Sequence, residues 1–509
     1  MSGIGYGQGG IFLRKSLPIF YSAILLTLVN LLLRFAGTSF QVYLSGRIGA
    51  AGIGLLQLVM SVGGMAMVAG TAGIRTATMY LTAEELGRNR PQNVTRVLSG
   101  CFLYSILFSS IVGLLLWHFA PVIAQNWIGD IRTANALRLL AAFLPATCLC
   151  GVMTGYFTAA NRIGTLAAVE VAEQICSMSI TLSLLRFWAG TDTARACQAV
   201  VLGAALGSVV TLGCLVILRL LQHSPTAPRI PLTRRLFQTA LPLAVADDLR
   251  TGISTAENLM VPKRLALNTA VSSPLAAFGI VSGMVFPVLM FPACILFGLA
   301  ELLIPELARC AAAGSRKRIR YLVRRSLKTA AIYGLLFFGL IHLTAEPLCL
   351  KLYGNMEAAR QLKRYALLIP MLYCDSITDA MTKGLGQQRI CVRYNIITNI
   401  LDILFLYLLL PNYGMDGYFL SFALTHLLNF LLSFQRLMKI TGQTIPLRIP
   451  LCCMAAAPIS IWLAGHLLSP LLRAAAYPVL LICMLILLDI LRREDAAWFK
   501  GLLRPGAVK

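Results

Sequence analysis

Charge is scarce in this chain, and acid scarcer still: its 509 residues include 20 Asp and Glu against 44 Lys and Arg, with only five histidines. Those five, His118, His223, His342, His426 and His466, are scattered and share no metal-ligand spacing with Cys or carboxylates, so no metal is expected. No P-loop signature is present, which argues against ATP hydrolysis by this chain. The segment Gly5 to Gly10 (GYGQGG) imitates a phosphate loop, but no strand precedes it and it reads as a flexible terminus. Long polar loops that would carry a glycosyltransferase or ligase site are also missing, so neither an enzyme activity nor a cofactor is expected. A myristoylation start and a C-terminal prenylation box are absent. Cysteine is not lacking, at 14, but Cys148, Cys150, Cys176, Cys214, Cys294, Cys452 and Cys453 sit inside apolar runs and read as small hydrophobes, not as a disulfide framework.

What fills the chain is apolar: 58% hydrophobic residues, 13% charged and a mean hydropathy of +0.77. Crossing a bilayer takes about 20 helical residues. Windows of that size fall near 17–42, 52–80, 97–117, 135–158, 166–188, 196–221, 236–260, 276–305, 328–350, 365–385, 392–411, 416–438, 449–468 and 475–491. The runs are continuously apolar instead of alternating, and lipid tolerates no unsatisfied backbone, so helices are expected and not a barrel. The fold class is an all-α polytopic membrane protein of about 14 transmembrane helices. The run after Arg14-Lys15 is too long for a signal-peptide core and is expected to be a retained first helix.

Lys and Arg concentrate in the connections on the side of the N-terminus, which predicts both termini in the cytoplasm and a plasma-membrane location. The densest basic run, Arg316 to Lys328 (RKRIRYLVRRSLK), directly precedes a crossing. Membrane lipids, not nucleic acid, are its expected partner.

Several crossings carry a polar stripe. An ionisable group in hydrocarbon costs about 2.5–3.5 kcal/mol on insertion scales, so it usually faces a cavity or a partner. The first crossing repeats Thr27, Asn30, Arg34, Thr38 and Gln41 at helical spacing, and the seventh repeats Asp247, Arg250, Ser254 and Glu257. These two are the expected cavity walls, the competing reading being that Asp247 and Arg250 neutralise one another. Asn399 and Asp402 in the eleventh crossing join the candidate set. Weaker candidates are Arg75, Glu173, Asp375 and Asp379; Arg75 and Lys383 are expected near cytoplasmic helix ends, where a long side chain can snorkel. Pro287, Pro292 and Pro305 predict kinks in the eighth crossing.

Short internal matches point to duplication. Asn161-Arg162-Ile163 pairs with Gln388-Arg389-Ile390 at a displacement of 227, and Gly52 to Gln57 pairs with Ala277 to Ser282 at 225. Two six-helix bundles, 1–222 and 223–440, followed by two further helices and a cytoplasmic tail in 441–509, are expected. Parallel halves with a midplane site between them are a common transporter plan.

These segments resemble a known family. Gly46-Arg47-Ile48-Gly49 with Gly52-Ile53-Gly54-Leu55, Gly73 to Ala77 followed by Ala83-Glu84-Glu85, Gly155-Tyr156-Phe157 leading to Val171-Ala172-Glu173-Gln174, Tyr353-Gly354 and Tyr413 to Gly417 are similar, in order and spacing, to the oligosaccharidyl-lipid flippases of the multidrug/oligosaccharidyl-lipid/polysaccharide (MOP) superfamily, most of all to the stage V sporulation B type. The resemblance implies a two-lobed carrier that flips an undecaprenyl-linked saccharide, such as a peptidoglycan precursor, by alternating access, with cell-wall synthesis enzymes as further partners. Arg34 looks like one of the central-cavity arginines of lipid II flippases. Phe40-Gln41 stands where those relatives carry Arg-Asp, and Arg75 where many sporulation-type members carry proline. Two competing readings are an ion-coupled drug exporter using the embedded carboxylates, and a non-transporting scaffold that docks wall-synthesis enzymes on Arg309 to Lys328.

Overall fold

A computed structural model describes residues 9–88, 90–190, 192–221, 233–444, 448–467 and 469–491. Most of the GYGQGG segment, His223, the 222/223 bundle boundary and the C-terminal tail lie outside the described residues. The described chain is almost entirely helical, in fourteen passes, the number expected. The first run, Gly9–Thr71, would be about 94 Å long if straight, three times the thickness of a hydrocarbon core. Gly49 interrupts it with φ 71°, separating α1 (9–48) from α2 (50–71), which Ile74–Gly87 continues. There follow α3 (Val94–Ile128), α4 (Ala134–Ala159), α5 (Ile163–Leu184), α6 (Thr193–Leu220) and α7 (Thr233–Leu265). Then come α8 (Pro274–Met290 and Ala293–Ala312), α9 (Arg316–Tyr353), and α10 (Met356–Tyr365, continued by Ile369–Gly384).

The run Gln388–Thr441 is divided at Gly414 (φ 54°) into α11 (388–413) and α12 (415–441). Contact between Asp402, twelve residues before that glycine, and Ser421, seven after it, shows the chain turning back there. A side chain at φ 54° would be strained, and a Cβ on Gly414 would press on Val271 and Asn268. Finally come α13 (Arg448–Gly465) and α14 (Pro470–Leu487). The helix α8 bends by 63° at Pro292, as its prolines predict. By length and composition alone, eight helical runs qualify as membrane spans, or nine with bent α8; α7, α10 and α13 are more polar or shorter. All fourteen cysteines are unpaired, and seven of them are buried.

The duplication is written in the turns. Gly129 and Gly354, both left-handed, end α3 and α9, and Asp130 and Asn355 behind them cap the next helix through their side chains. Between α4 and α5 the amides of Ala160, Asn161 and Arg162 bond to Tyr156, Thr158 and Phe157. Between α10 and α11 those of Leu385, Gly386 and Gln387 bond to Met381, Lys383 and Thr382. Every pair is 225 residues apart, so Asn161 corresponds to Gly386, and the displacement of 227 read from the Asn-Arg-Ile match slips by two.

Contacts group the chain into two compact units, Met1–Gly279 with Leu406–Gly414, and Ile280–Phe405 with Met415–Lys509. Although the repeat counts α7 as the first helix of the second half, its packing is with the first six. Leu236, Ala240 and Ala244 of α7 enter a core with Ile74, Val97, Tyr104, Val152 and Phe157. The ring of Phe237 meets Tyr104 edge-on at 5.2 Å. Within the same unit α2 crosses α8 backbone to backbone. A Cβ on Gly54 would lie 2.2 Å from the Leu275 carbonyl oxygen, and one on Gly279 would lie 2.0 Å from that of Ala50. Each partner is 225 residues from its counterpart, so the crossing repeats the duplication in one contact.

Candidate functional site

In the first unit, α7 sorts its polar residues onto two faces. Thr255 and Asn258 face α2: the Thr255 hydroxyl donates to the Ser61 carbonyl oxygen at 3.2 Å, and the Asn258 amide donates to the Ser61 hydroxyl at 3.1 Å. Asp247, Arg250 and Ser254 point away from that contact and are exposed, with Glu257 half-buried beside them. Among the described residues Asp247 and Arg250 form no ion pair, so mutual neutralisation does not account for the stripe. The fastening is done by Thr255 and Asn258, which the sequence reading passed over because neither belongs to the charged periodicity.

Arg34 of α1 is exposed, and Gln41 is half-buried. The side chain of Asn30 lies outside the described residues. Arg34 and Arg250 both belong to the first unit, whereas the sequence reading draws them from two bundles.

Arg75 is not near a helix end. The helix α2 breaks at Ala72 (φ 44°) and Gly73 (φ 70°), and Arg75 opens the segment after the break. The freed carbonyl of Ala72 accepts from the Tyr104 hydroxyl at 3.2 Å. Gly155 of α4 lets this backbone come close, since a Cβ there would meet the Arg75 carbonyl oxygen at 2.5 Å. The Arg75 guanidinium is exposed and acts electrostatically on Glu170 of α5. One turn along α5, Glu173 accepts from the Ser208 hydroxyl of α6 at 3.5 Å. A break inside a membrane-crossing helix is legible in sequence only as a lone glycine, and Ala72 beside it gives no signal.

A further network went unread. Glu85, 3% exposed, accepts from the Asn93 amide at 2.8 Å and lies 3.6 Å from the Arg235 guanidinium, which also binds Glu84. Arg88 pairs with Glu84 at 2.7 Å. These residues tie the end of α2 to the starts of α3 and α7. Glu84-Glu85 drew notice only as a family match, and Arg235 is distant in sequence.

In the second unit the carboxylates are half-buried and engaged. Asp375 accepts from the Asn429 amide at 3.2 and 3.3 Å. Asp379 pairs with Lys383 at 2.6 Å, one helical turn on, so Lys383 is an ion-pair partner. Asp402 accepts from the Ser421 hydroxyl at 2.6 Å and the Thr425 hydroxyl at 3.2 Å. Asn399 on the same helix is half-buried. The structure thus brings Asp375 and Asp379 together on α10 and closes Asp402 into the α11–α12 hairpin, while the candidate arginines stay exposed in the first unit.

This arrangement can be set beside known proteins. The family described as polysaccharide biosynthesis protein matches residues 20–253, and the MatE family matches 265–408. The stage V sporulation protein B of Bacillus subtilis (strain 168) is 21% identical over 407 residues, 77% of this chain and 78% of that protein. Among solved structures, the lipid II flippase MurJ in an inward closed conformation aligns over 94% of this chain and all of its own length, with a TM-score of 0.67 at 13% identity. An inward-facing multidrug resistance MATE family transporter aligns over 82% of this chain and all of its own, with a TM-score of 0.66 at 13% identity. Consecutive matches to two transporter families, together with this shared fold, make the chain a member of the MOP superfamily of membrane transporters.

Proposed function

We propose that this transporter flips an undecaprenyl-linked saccharide, of the kind used in peptidoglycan, spore-cortex or polysaccharide synthesis, from the inner to the outer leaflet. The two repeats, 1–222 and 223–440, alternate access, and 441–509 adds two helices and a cytoplasmic tail. The observation that carries the reading is the contrast in ionic groups. Arg34 and Arg250 are exposed at membrane depth without an ion-pair partner among the described residues, whereas Asp375, Asp379 and Asp402 are held by neighbouring side chains. Cations left open in hydrocarbon suit an anionic pyrophosphate headgroup. Kinship with stage V sporulation protein B and the polysaccharide biosynthesis family supports the same substrate class.

With both termini cytoplasmic, an inside-negative potential favours outward passage of the anion, by about 2.3 kcal/mol per charge per 100 mV. Arg34 and Arg250 receive the headgroup on the cytoplasmic side, and the potential drives its release outside. In cells depleted of the protein and of redundant carriers, labelled lipid-linked precursor should vanish from the outer leaflet. Retention there would refute the reading, and transport unaffected by collapsing the potential would remove its electrogenic part.

A second reading, an ion-coupled exporter of small solutes, draws on the embedded carboxylates of α10 and α11. It predicts solute efflux that is lost on replacing Asp375 or Asp402 and is indifferent to Arg34.

A further inference from the structure

The start of α9 carries a basic face that the fold does not require. This helix has 38 residues, about 57 Å, nearly twice the 30 Å of a hydrocarbon core. Its apolar part lies after Lys328, so the first three turns stand at the depth of the headgroups. In those turns Arg316, Lys317, Arg320 and Arg324 are exposed, with Tyr321 54% exposed among them, while Val323, Ser326 and Leu327 are buried on the opposite side. Arg318 is paired with Glu306 at 2.7 Å, but the four exposed cations form no ion pair among the described residues.

The repeat supplies an internal control. At the displacement of 225, the counterparts of Arg316, Lys317, Arg320 and Arg324 are Pro91, Gln92, Thr95 and Ser99, at the start of α3. That end of the first repeat turns without a basic face. The cations are therefore not needed to build the turn, and one ordinary arginine, Arg96, suffices there to mark the side of the membrane. Four unpaired cations on one helical face, an aromatic ring among them, and a helix running straight into lipid match a layer of phosphate headgroups.

We propose that the face Arg316–Lys317–Arg320–Arg324 is a binding surface for anionic phospholipid headgroups of the leaflet that this end of α9 enters. It is independent of the transported substrate.

The test titrates phosphatidylglycerol, with phosphatidylcholine as control, into the purified full-length protein in neutral detergent and follows the thermal midpoint. Phosphatidylglycerol should raise the midpoint where phosphatidylcholine does not, and the effect should weaken as salt rises from about 0.05 to about 0.5 M. The variant Arg316→Gln/Lys317→Gln/Arg320→Gln/Arg324→Gln should need at least roughly tenfold more phosphatidylglycerol for the same shift. The charge-keeping variant Arg316→Lys/Arg320→Lys/Arg324→Lys should behave like the unmodified chain, and so should Arg389→Gln/Arg393→Gln, which removes cations elsewhere on the surface. Equal response to the two lipids, or an unchanged response in the four-glutamine variant, overturns the proposal. So does a demonstration that these cations instead capture a wall-synthesis enzyme in detergent without added lipid.

Discussion

At the residue scale, the two open arginines carry the functional weight. Replacing Arg34 or Arg250 with Gln removes charge but keeps much of the shape, and loss of a charged hydrogen bond to a headgroup is worth about 1.5–3 kcal/mol. Flipping by purified, folded protein is therefore expected to fall roughly 10- to 100-fold for either variant, whereas Lys383→Met should act mainly through Asp379, its ion-pair partner. Outside the membrane-crossing segments, the hydrogen bond from Arg132 holds the Asp130 carboxyl below its ordinary value. A carboxyl depressed on folding contributes stability above its unfolded value and loses that contribution as pH falls through the folded one. Asp130→Asn should therefore lower the thermal midpoint slightly at neutral pH, and its difference from the unmodified chain should shrink below about pH 4. Arg34, Asp247 and Arg250 were readable from helical spacing alone because charge in an apolar run is rare. Thr255, Asn258 and Arg235 were not, because uncharged or terminal polar residues look the same whether they bridge helices or face water.

The elements show where periodicity stops being informative. Fourteen passes could be counted from hydropathy, and the bend in α8 from its prolines, but the break in α2 at Ala72-Gly73 lies inside a run that is apolar on both sides. The crossing of α2 on α8 is another such feature, since nothing in Gly54 or Gly279 announces that each faces a carbonyl oxygen. Gly54→Ala and Gly279→Ala should each destabilise the protein by about 1–3 kcal/mol, because the atom in the way is backbone and cannot swing aside. Gly100→Ala, where an added Cβ meets nothing within 4 Å, should leave the thermal midpoint unchanged or raise it. Losing the Asn258 amide through Asn258→Leu should cost about 0.6 kcal/mol, the usual worth of a hydrogen bond between membrane helices.

For the whole molecule, duplication is the organising fact. Turns, caps and the α2–α8 crossing recur at 225 residues, yet α7 packs with the six helices before it, so repeat and packing unit do not coincide. Sequence could reveal the repeat because glycines and cap residues mark turns; it could not reveal the allegiance of α7, which depends on shape complementarity with Tyr104 and Ser61. Function at this scale rests on the claim that a lipid-linked sugar phosphate is what crosses. The most direct measurement reconstitutes the protein in liposomes with a fluorescent polyprenyl-pyrophosphate saccharide and follows its exposure to an impermeant quencher. The account predicts rapid transfer between leaflets that is lost in Arg34→Gln/Arg250→Gln; transfer no faster than in protein-free liposomes, or undiminished in that variant, would contradict it.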